Sequence, residues 1–232
     1  EVTLEKPAER IVALTAGDCE ILYALGVGDR IVGRGEYCDY PEDVLAVPSV
    51  ASGYDTNIEQ IIALNPDVVV MSTMAQTNEH IESLENAGLA VIVTEAPHLE
   101  GVYDDIALLG EVVDKTAEAD ALITSMKDAF AALSAKVPQL EKTPTIYFEV
   151  SPLQYGLWTA GTGTFMHEMG ELLGVENIFA DLSLWAEVSE EQVIQRNPDF
   201  IVTTTMSYEG SPDPVEEIKG RAGWGGITAI VE

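Results

Sequence analysis

One stretch of this sequence occurs twice. EQIIALNPDVVVMSTM, residues 59–74, returns as EQVIQRNPDFIVTTTM, residues 191–206, at a constant offset of 132 residues. When residues 57–74 are aligned with residues 189–206, nine of the eighteen positions are identical. Each copy has the pattern of a short amphipathic helix, an Asn-Pro-Asp turn and an apolar strand. The repeat therefore predicts two lobes built on one plan, with a ligand-binding cleft between them.

Apolar runs of strand length alternate with helical patterns in the first hundred residues. We predict strands at Ile11–Leu14, Ile31–Gly33, Val68–Met71 and Ala90–Val93. Helices are predicted after a turn at residues 16–18 and from the N-caps Asn57 and Asn78, the last of them closed by Gly88. Strands that alternate with helices favour a parallel sheet covered on both faces.

Residues 101–137 carry no strand signal. Their apolar side chains recur mostly every three or four positions, which predicts one long helix, or two helices broken near Asp114, ending before Pro138. Placed between the two repeats, such an element would bridge both lobes. The predicted fold class is α/β, with two Rossmann-like lobes with parallel sheets joined by a long inter-lobe helix. The predicted domains are an N-terminal α/β lobe at 1–100, the inter-lobe helix at 101–138 and a C-terminal α/β lobe at 139–232.

The charge of the chain excludes several kinds of partner. It has 40 acidic and 11 basic residues, a formal net charge of −29. Nucleic acid is not expected as a partner, because binding a polyanion depends on Lys and Arg. Hydrophobic residues make up 47% of the chain, enough for buried cores, but no apolar run approaches the roughly eighteen residues that a membrane helix needs.

The only two cysteines, Cys19 and Cys38, lie close together in the sequence. Each should follow an early strand of the parallel sheet, so their loops should be neighbours. A disulfide between them and a pair of small buried thiols are both open interpretations. Their spacing matches no zinc or Cys-x-x-Cys pattern, so no metal site is predicted.

Aromatic side chains gather where loops should follow strands, and loop packing is the alternative for each ring. Ligands of open parallel sheets bind beyond the carboxyl ends of the strands, where aromatic rings would suit a large ring-bearing ligand. His98 follows the fourth predicted strand and is included as a candidate. The predicted ligand-binding residues are Tyr37, Tyr54, His98, Tyr155, Trp158 and Trp185.

Signatures of common doubly wound enzymes are absent from the sequence: it has no GxxxxGK[ST], GxGxxG, GxSxG or HExxH motif. The nearest candidate is Gly161–Thr164, a GTGT turn that could hold an anion at the start of a helix. We therefore predict a binding protein with no catalytic residue, no metal site and no cofactor of its own. The alternative from another class is a two-lobed doubly wound enzyme with its active site in the cleft.

Two carboxylates, Glu59 and Glu191, occupy the same position at the start of the duplicated helix. A carboxylate in a first helical turn complements the helix dipole, which is a structural explanation. If the lobes are related by a pseudo-twofold axis, the same pair would project from equivalent points and could meet basic groups of a symmetric receptor.

The motifs of the chain, taken in order, resemble those of the ABC-importer solute-binding proteins for cobalamin, ferric siderophores and haem. The matching segments cover nearly the whole chain: PAERIVAL, YALGVGDRIVG, EYCDYP, IEQIIALNPDVVV, LWTAGTGTFMHEMGELLGVENIF and WAEVSEEQVIQRNPDFIV. EYCDYP and the tryptophan before the second repeat are most similar to cobalamin binders. The family's helical backbone joins two lobes that close modestly on the ligand.

The resemblance implies a monomer that captures a corrinoid or a ferric siderophore and delivers it to an ABC permease dimer. Haem is the alternative ligand, and the cobalt or iron would belong to the ligand. The pocket tyrosine and tryptophan of cobalamin binders fall on Tyr37 and Trp185, and Tyr54 lies where haem-binding relatives place an iron-ligating tyrosine. The family's permease-docking glutamates fall on Glu59 and Glu191. The implied location is extracytoplasmic, either periplasmic or as a lipoprotein on the cell surface. Members continue with a further strand and helices beyond ITAIVE, which this sequence as given lacks.

Overall fold

A computed structural model describes residues 4–72, 76–204 and 213–231 of the chain. The chain forms two compact units. The first runs to Ala96 and also contains Glu100–Lys127, and the second comprises Pro97–Leu99 and the residues from Asp128 onward. No helix within the described ranges is long and apolar enough to cross a membrane.

The first unit is a five-stranded parallel sheet with helices between the strands. Its strands are β1 (Ile11–Ala13), β2 (Ile31–Gly35), β3 (Ser49–Val50), β4 (Val68–Ser72) and β5 (Ala90–Thr94). Its helices are α1 (Ala16–Ala24), α2 (Ile58–Ala63), α3 (Asn78–Asn86), α4 (Leu99–Val112) and α5 (Thr116–Ser134), of which α5 continues into the second unit. The strand order is β3-β2-β1-β4-β5. The four predicted strands are confirmed, and β3 adds a short edge that the sequence pattern did not indicate.

Successive side chains of the central strands belong alternately to two separate hydrophobic cores. Ile11 and Val68 belong to one cluster and Val12 and Val69 to the other, and all four side chains are fully buried. Successive side chains of a strand point to opposite faces, so both faces of this sheet are covered. The carboxyl ends of β1, β4 and β5 consequently open at one edge, where loops and helix starts meet.

Two of the three predicted helix starts are shifted by one or a few residues. Thr15 is the N-cap of α1, where its side chain accepts from the amide of Asp18, so residues 16–18 are the first turn of the helix. Thr77, not Asn78, caps α3 and forms a capping box with His80. Asn57 caps α2 as predicted. The errors arose because several adjacent residues can serve as caps, and only the backbone path decides which one does.

The segment after β5 contains two helices, the second of the two predicted alternatives. Asp114, between α4 and α5, adopts a left-handed conformation with φ of 57°. The amide of Lys115 donates to the carbonyl oxygen of Gly110 at 2.7 Å, which turns the chain back on itself. A Cβ on Gly110 would lie 2.6 Å from the Cβ of Ala119, so the close contact between the two helices requires glycine there.

The second unit contains a mixed sheet, which corrects the prediction of a second parallel sheet. Its strands are β6 (Thr145–Glu149), β7 (Leu157–Ala160), β8 (Glu176–Asn177), β9 (Trp185–Val188) and β10 (Phe200–Thr203). Its helices are α6 (Phe165–Leu172), α7 (Glu190–Arg196), α8 (Pro214–Lys219) and α9 (Thr228–Val231). β6 pairs with β8 and β10 in parallel, but β7 is antiparallel to both β6 and β9. A parallel β7 would need a crossover of a dozen or more residues, and the connection from β6 to β7 is much shorter.

The duplicated segments have the same backbone form. Asn65 and Asn197, which open the two Asn-Pro-Asp turns, are left-handed with φ of 47° and 45°. Asp67 accepts from the amides of Glu9 and Arg10 just before β1, at 3.0 Å each. Asp199 accepts from the amide of Thr145 at the start of β6, at 2.8 Å. The aspartate of the first turn therefore holds the start of β1, which pairs with β4, and the aspartate of the second turn holds the start of β6, which pairs with β10. Residues 73–74 and 205–206 of the repeat lie outside the described residues.

A buried ion pair holds the end of the second unit against β6. The guanidinium of Arg221 makes a bidentate contact with Glu149, at 2.6 and 2.9 Å, and both side chains are almost fully buried. The same guanidinium contacts Glu217 at 2.5 Å and lies 4.5 Å from the ring centre of Trp224. Sequence analysis missed this pair, because its members are 72 residues apart.

Candidate functional site

The first unit contains a pocket at the carboxyl ends of its parallel strands. The volume of the pocket is about 440 Å³, and its exposed lining is mostly apolar. Residues at or just beyond the ends of three strands contribute to it: Leu14 after β1, Ser72 in β4 and Thr94 in β5. This is the place where open parallel sheets bind their ligands.

Asp18, on the first turn of α1, is the most deeply buried acid of the pocket, with 3% of its surface exposed. Its carboxylate accepts hydrogen bonds from the hydroxyl groups of Thr15 and Thr94, the latter at 2.9 Å. Burial raises the pKa of Asp18, and the two hydroxyl donors oppose that shift. The first turn of α1 thus carries a buried carboxylate to the pocket wall.

A second carboxylate, Asp105, reaches the pocket from α4. Burial, followed by the negative charge of Asp18, raises the pKa of Asp105 to about 6. A hydrogen bond from the backbone of Glu95 acts in the opposite direction. Neither acid was predicted from the sequence, because neither lies in a motif. Asp18 could have been noticed as a polar residue directly after a buried strand, whereas Asp105 needed the packing of α4.

Tyr37 is the one predicted aromatic ligand residue found in the lining of this pocket. Its side chain is 70% exposed, so most of the ring is available to a ligand. Tyr54 is 84% exposed and follows Gly53, which lines the pocket, although Tyr54 itself is not part of the lining. Gly53 and Ser52 place the loop after β3 at the pocket rim, and their small size leaves the rim open.

A glycine at the end of β2 fixes the shape of the pocket wall. A Cβ on Gly35 would lie 2.2 Å from the carbonyl oxygen of Leu14 and 3.0 Å from the hydroxyl oxygen of Ser52. Leu14 and Ser52 both line the pocket. Only glycine allows the two strand ends to approach this closely.

The remaining predicted ligand residues belong to the second unit. His98 lies in the segment 97–99, where the carbonyl oxygen of Pro97 accepts from the amide of Phe165 at 2.6 Å. Trp185 on β9 packs edge to face against Phe165, with ring centres 5.9 Å apart. Trp158 on β7 is 39% exposed. The antiparallel register, in which Ala160 faces Trp185, puts both tryptophans on one face of the sheet.

Tyr155 is 73% exposed and lies in the short turn between β6 and β7. The GTGT turn, also in this unit, is occupied by backbone contacts. The amides of Gly161 and Thr162 donate to the carbonyl oxygens of Leu184 and Leu182, and Thr164 caps α6. Its amides at Gly161 and Thr162 are thus not available to an anion.

The two repeated glutamates are exposed on their helices, Glu59 on α2 and Glu191 on α7. Three positions after each glutamate stands an exposed isoleucine, Ile62 at 42% and Ile194 at 37%. The residue before each isoleucine is fully buried and anchors the helix. Each copy of the repeat therefore presents a carboxylate and an apolar side chain on one exposed face.

Cys19 and Cys38 are free thiols in this structure, so it does not contain the disulfide that was one of the two interpretations. Both side chains are fully buried, and both sulfur atoms approach the carbonyl oxygen of Ala13, at 3.7 and 3.9 Å. A hydrogen bond with Cys38, followed by burial, raises the pKa of Cys19. Among the described residues, no group of three or more His, Cys, Asp or Glu side chains could hold a metal ion.

Comparison with known proteins shows that the chain is a solute-binding protein and gives its family. Residues 11–232 match the model of the periplasmic binding protein family, to which the chain belongs. Over 235 residues, 99% of this chain and 72% of the relative, it is 34% identical to YvrC, an uncharacterized ABC transporter substrate-binding lipoprotein of Bacillus subtilis (strain 168). Over 201 residues, 85% of this chain and 70% of the relative, it is 29% identical to the vitamin B12-binding protein of Yersinia pestis (strain Pestoides F).

A solved structure gives the same result. The fold matches a crystal structure from Staphylococcus epidermidis ATCC 12228, described as a possible iron-binding (periplasmic solute-binding) protein, with a TM-score of 0.82 and 31% identity. The match covers 97% of this chain and 88% of that one. These relatives are transport proteins and not enzymes. The chain is an extracytoplasmic solute-binding protein of ABC import, a class that binds small ligands and interacts with a permease.

Proposed function

We propose that this protein captures a corrinoid or a ferric siderophore in the strand-end pocket of the first unit and delivers it to an ABC permease. The observation that carries the proposal is the pocket itself, an open and mostly apolar concavity of about 440 Å³ beyond the ends of β1, β4 and β5. Such a surface suits one side of a large ligand that is partly apolar.

The residues around the pocket support a ring-bearing ligand. Tyr37 offers an exposed aromatic face and a hydroxyl group, and Gly53 and Ser72 leave space beside it. Similarity to a vitamin B12-binding protein and to a possible iron-binding protein supports the two ligand classes. Haem is the alternative within the same family, with exposed Tyr54 as its iron ligand. Tyr155, Trp158, Trp185 and His98 are separately proposed as ligand-binding residues of the second unit.

Equilibrium titration tests this proposal. The purified chain is titrated with cyanocobalamin, ferric haem and a panel of ferric hydroxamates and catecholates, with isothermal calorimetry as the readout. We expect saturable binding of at least one compound, weakened about fivefold by Tyr37→Ala, since a stacked ring contributes on the order of 1 kcal/mol. Tyr23→Ala is unsuitable as a control because Tyr23 packs in the core. Tyr40→Ala is suitable, because Tyr40 is 66% exposed and outside the lining. Absence of binding to every compound would refute the proposed ligand classes.

The repeated glutamates are proposed as the two contacts with the permease. Glu59 and Glu191 are exposed, and each stands on a helix that the repeat places identically in its unit. A carboxylate beside an exposed isoleucine fits a partner surface with a basic side chain next to an apolar one. By likeness to the Bacillus lipoprotein, we propose that a lipid anchor holds the protein near that permease.

The docking proposal is tested with the chain and its cognate permease in proteoliposomes. Glu59→Ala and Glu191→Ala should each reduce stimulation of ATP hydrolysis, and Ile62→Ser and Ile194→Ser should do so to a smaller extent. Ligand affinity should stay within about twofold of the original. Glu79→Ala is the matched control, because Glu79 is exposed in the first turn of α3 and outside the repeat. Loss of ligand affinity in the Glu59 or Glu191 variant would place these residues in the fold or the pocket instead.

A further inference from the structure

The pocket of the first unit has an uncompensated negative charge. Among its described lining residues are two carboxylates, Asp18 and Asp105, and no Lys, Arg or His. The guanidinium of Arg34 donates to the backbone carbonyl oxygens of Gly35 and Cys38, at 3.2 and 3.0 Å, and is not part of the lining. The groups among these residues that can carry a charge near neutral pH are therefore carboxyl groups.

The surroundings of Asp105 strengthen this character. The charged side chains that act most strongly on Asp105 are carboxylates: Asp18 from α1, Asp104 from α4 and Glu95 from the loop after β5. With a pKa of about 6, Asp105 is mostly ionised at pH 7 and above. Asp18 accepts from two hydroxyl groups, which satisfy part of its hydrogen-bonding capacity, and no basic side chain is among the described lining residues beside it.

We propose that this pocket selects neutral or cationic metal chelates that place an N–H donor, an ammonium or a primary amide, against Asp105 and Asp18, and that it rejects anionic chelates. The inference rests on the proposed function, since it requires the ligand to occupy this pocket. A donor facing an ionised carboxylate forms a charge-assisted hydrogen bond. A ligand carboxylate or catecholate in the same place meets like charge in partly desolvated surroundings, where repulsion is strong.

A preference for neutral or cationic ligands distinguishes ligand classes that the similarity to known proteins does not distinguish. Corrinoids carry peripheral primary amides, and many ferric hydroxamates are neutral or carry a pendant ammonium, so both classes can bind without bringing a negative charge to the pocket. Haem carries two propionates, and ferric tris-catecholates are anionic, so the carboxylates of the pocket repel both. The pocket thus favours a corrinoid or a ferric hydroxamate over haem.

The net charge of the whole chain, −29, also repels anions, but it acts over a longer range. Salt distinguishes the two effects. At 1 M ionic strength the Debye length is about 3 Å, so the field of distant surface charges is screened. Discrimination that persists in 1 M salt therefore comes from groups in direct contact with the ligand.

The test uses two series of ligands that differ mainly in the charge of one peripheral group. The first is ferrioxamine B, which has a pendant ammonium, with its N-acetyl and N-succinyl derivatives. The second is cyanocobalamin with a monocarboxylate in which one amide has been hydrolysed. Affinities are measured by calorimetry at pH 7.5 in 0.1 and 1 M salt. In each series that binds, we expect the carboxylate member to bind at least about tenfold more weakly than the ammonium or amide member, also in 1 M salt.

The variant Asp105→Asn should bring this ratio below about threefold, and Asp104→Asn should leave it unchanged. Asp104 is the matched control, because it is exposed on the same helix and outside the lining. Three results would overturn this inference while leaving the proposed function intact. The first is equal affinity for the carboxylate member and the ammonium or amide member of a series, and the second is tighter binding of haem or ferric enterobactin than of the neutral chelates. The third is the same affinity ratio in the Asp105→Asn and Asp104→Asn variants. If no compound binds, the proposed function fails and the inference fails with it. A melting curve for each variant confirms that it is folded.

Discussion

Replacing Asp105 by asparagine should make the protein more stable at neutral pH. The pKa of this carboxyl is about 6 in the folded chain and ordinarily 3.8, a rise of about two units caused first by burial and then by Asp18. Each unit corresponds to about 1.4 kcal/mol, so two units would amount to about 3 kcal/mol; solvent screens this half-buried side chain and reduces the cost of the ionised carboxylate to about 1–2 kcal/mol above pH 6. Asparagine has no such charge, and its amide oxygen can still accept the backbone hydrogen bond from Glu95.

The sign of the pH dependence follows from the raised pKa. Between pH 3.8 and 6 the folded state binds more protons at this site than the unfolded state, so the contribution of Asp105 to stability falls as the pH rises through this window. Other carboxylates titrate in the same range, so the informative quantity is the difference between the variant and the original protein. This difference should be about 1–2 kcal/mol at pH 7.5 and below about 0.5 kcal/mol at pH 4.

Urea unfolding at several pH values measures this difference, and the carboxyl chemical shift of Asp105 gives its pKa directly. Asp104→Asn provides the control, since it removes the same charge from an exposed position on the same helix. A variant that is less stable than the original at pH 7.5, or a difference that does not change with pH, would refute the electrostatic explanation.

Three other predictions concern the fold. Glu149→Gln should lower the free energy of unfolding by about 3 kcal/mol, because it breaks the buried pair with Arg221, whereas Glu217→Gln at the exposed end should cost about 1 kcal/mol or less; equal effects would argue against the burial difference. Gly35→Ala should destabilise by more than about 2 kcal/mol and weaken ligand binding, whereas Gly17→Ala, with open space around its Cβ position, should stabilise α1 by about 0.5–1 kcal/mol, as thermal melts would show. Ellman's reagent should find two thiols per chain in denaturant and react slowly in the folded state, and a count of zero would show that Cys19 and Cys38 form a disulfide.

Much of the first unit could be predicted from the sequence, because its strands are short apolar runs and its helices have periodic patterns. All four predicted strands occur within two residues of their expected ends. Helix caps were less predictable, since Thr15 and Asp18, or Thr77 and Asn78, are equally good capping residues in isolation. The second sheet was predicted to be parallel by analogy with the first, and the short connection from β6 to β7 makes it mixed.

Of the six predicted ligand-binding residues, only Tyr37 is among the described residues that line the pocket of the first unit. The exposed Tyr37 was identified from its place after a strand, as a parallel sheet requires. Asp18 and Asp105 were not predicted, because they are 87 positions apart in the sequence. They line one pocket only because the fold brings α1 and α4 to the same end of the sheet. Among 40 acidic residues, the sequence gives no signal that distinguishes a buried carboxylate from a solvated one.

The sequence by itself determined that the chain has two related units, because duplication leaves identical residues at a constant spacing. It also determined the Asn-Pro-Asp turns, since Asn, Pro and Asp favour turns through local backbone and side-chain preferences. Only the tertiary structure decided which repeated aspartates anchor strands, which cysteines share a carbonyl oxygen and which carboxylates enter the pocket. Burial and electrostatic environment depend on atoms distant in the chain, and these two quantities give the pocket its proposed preference for neutral or cationic ligands.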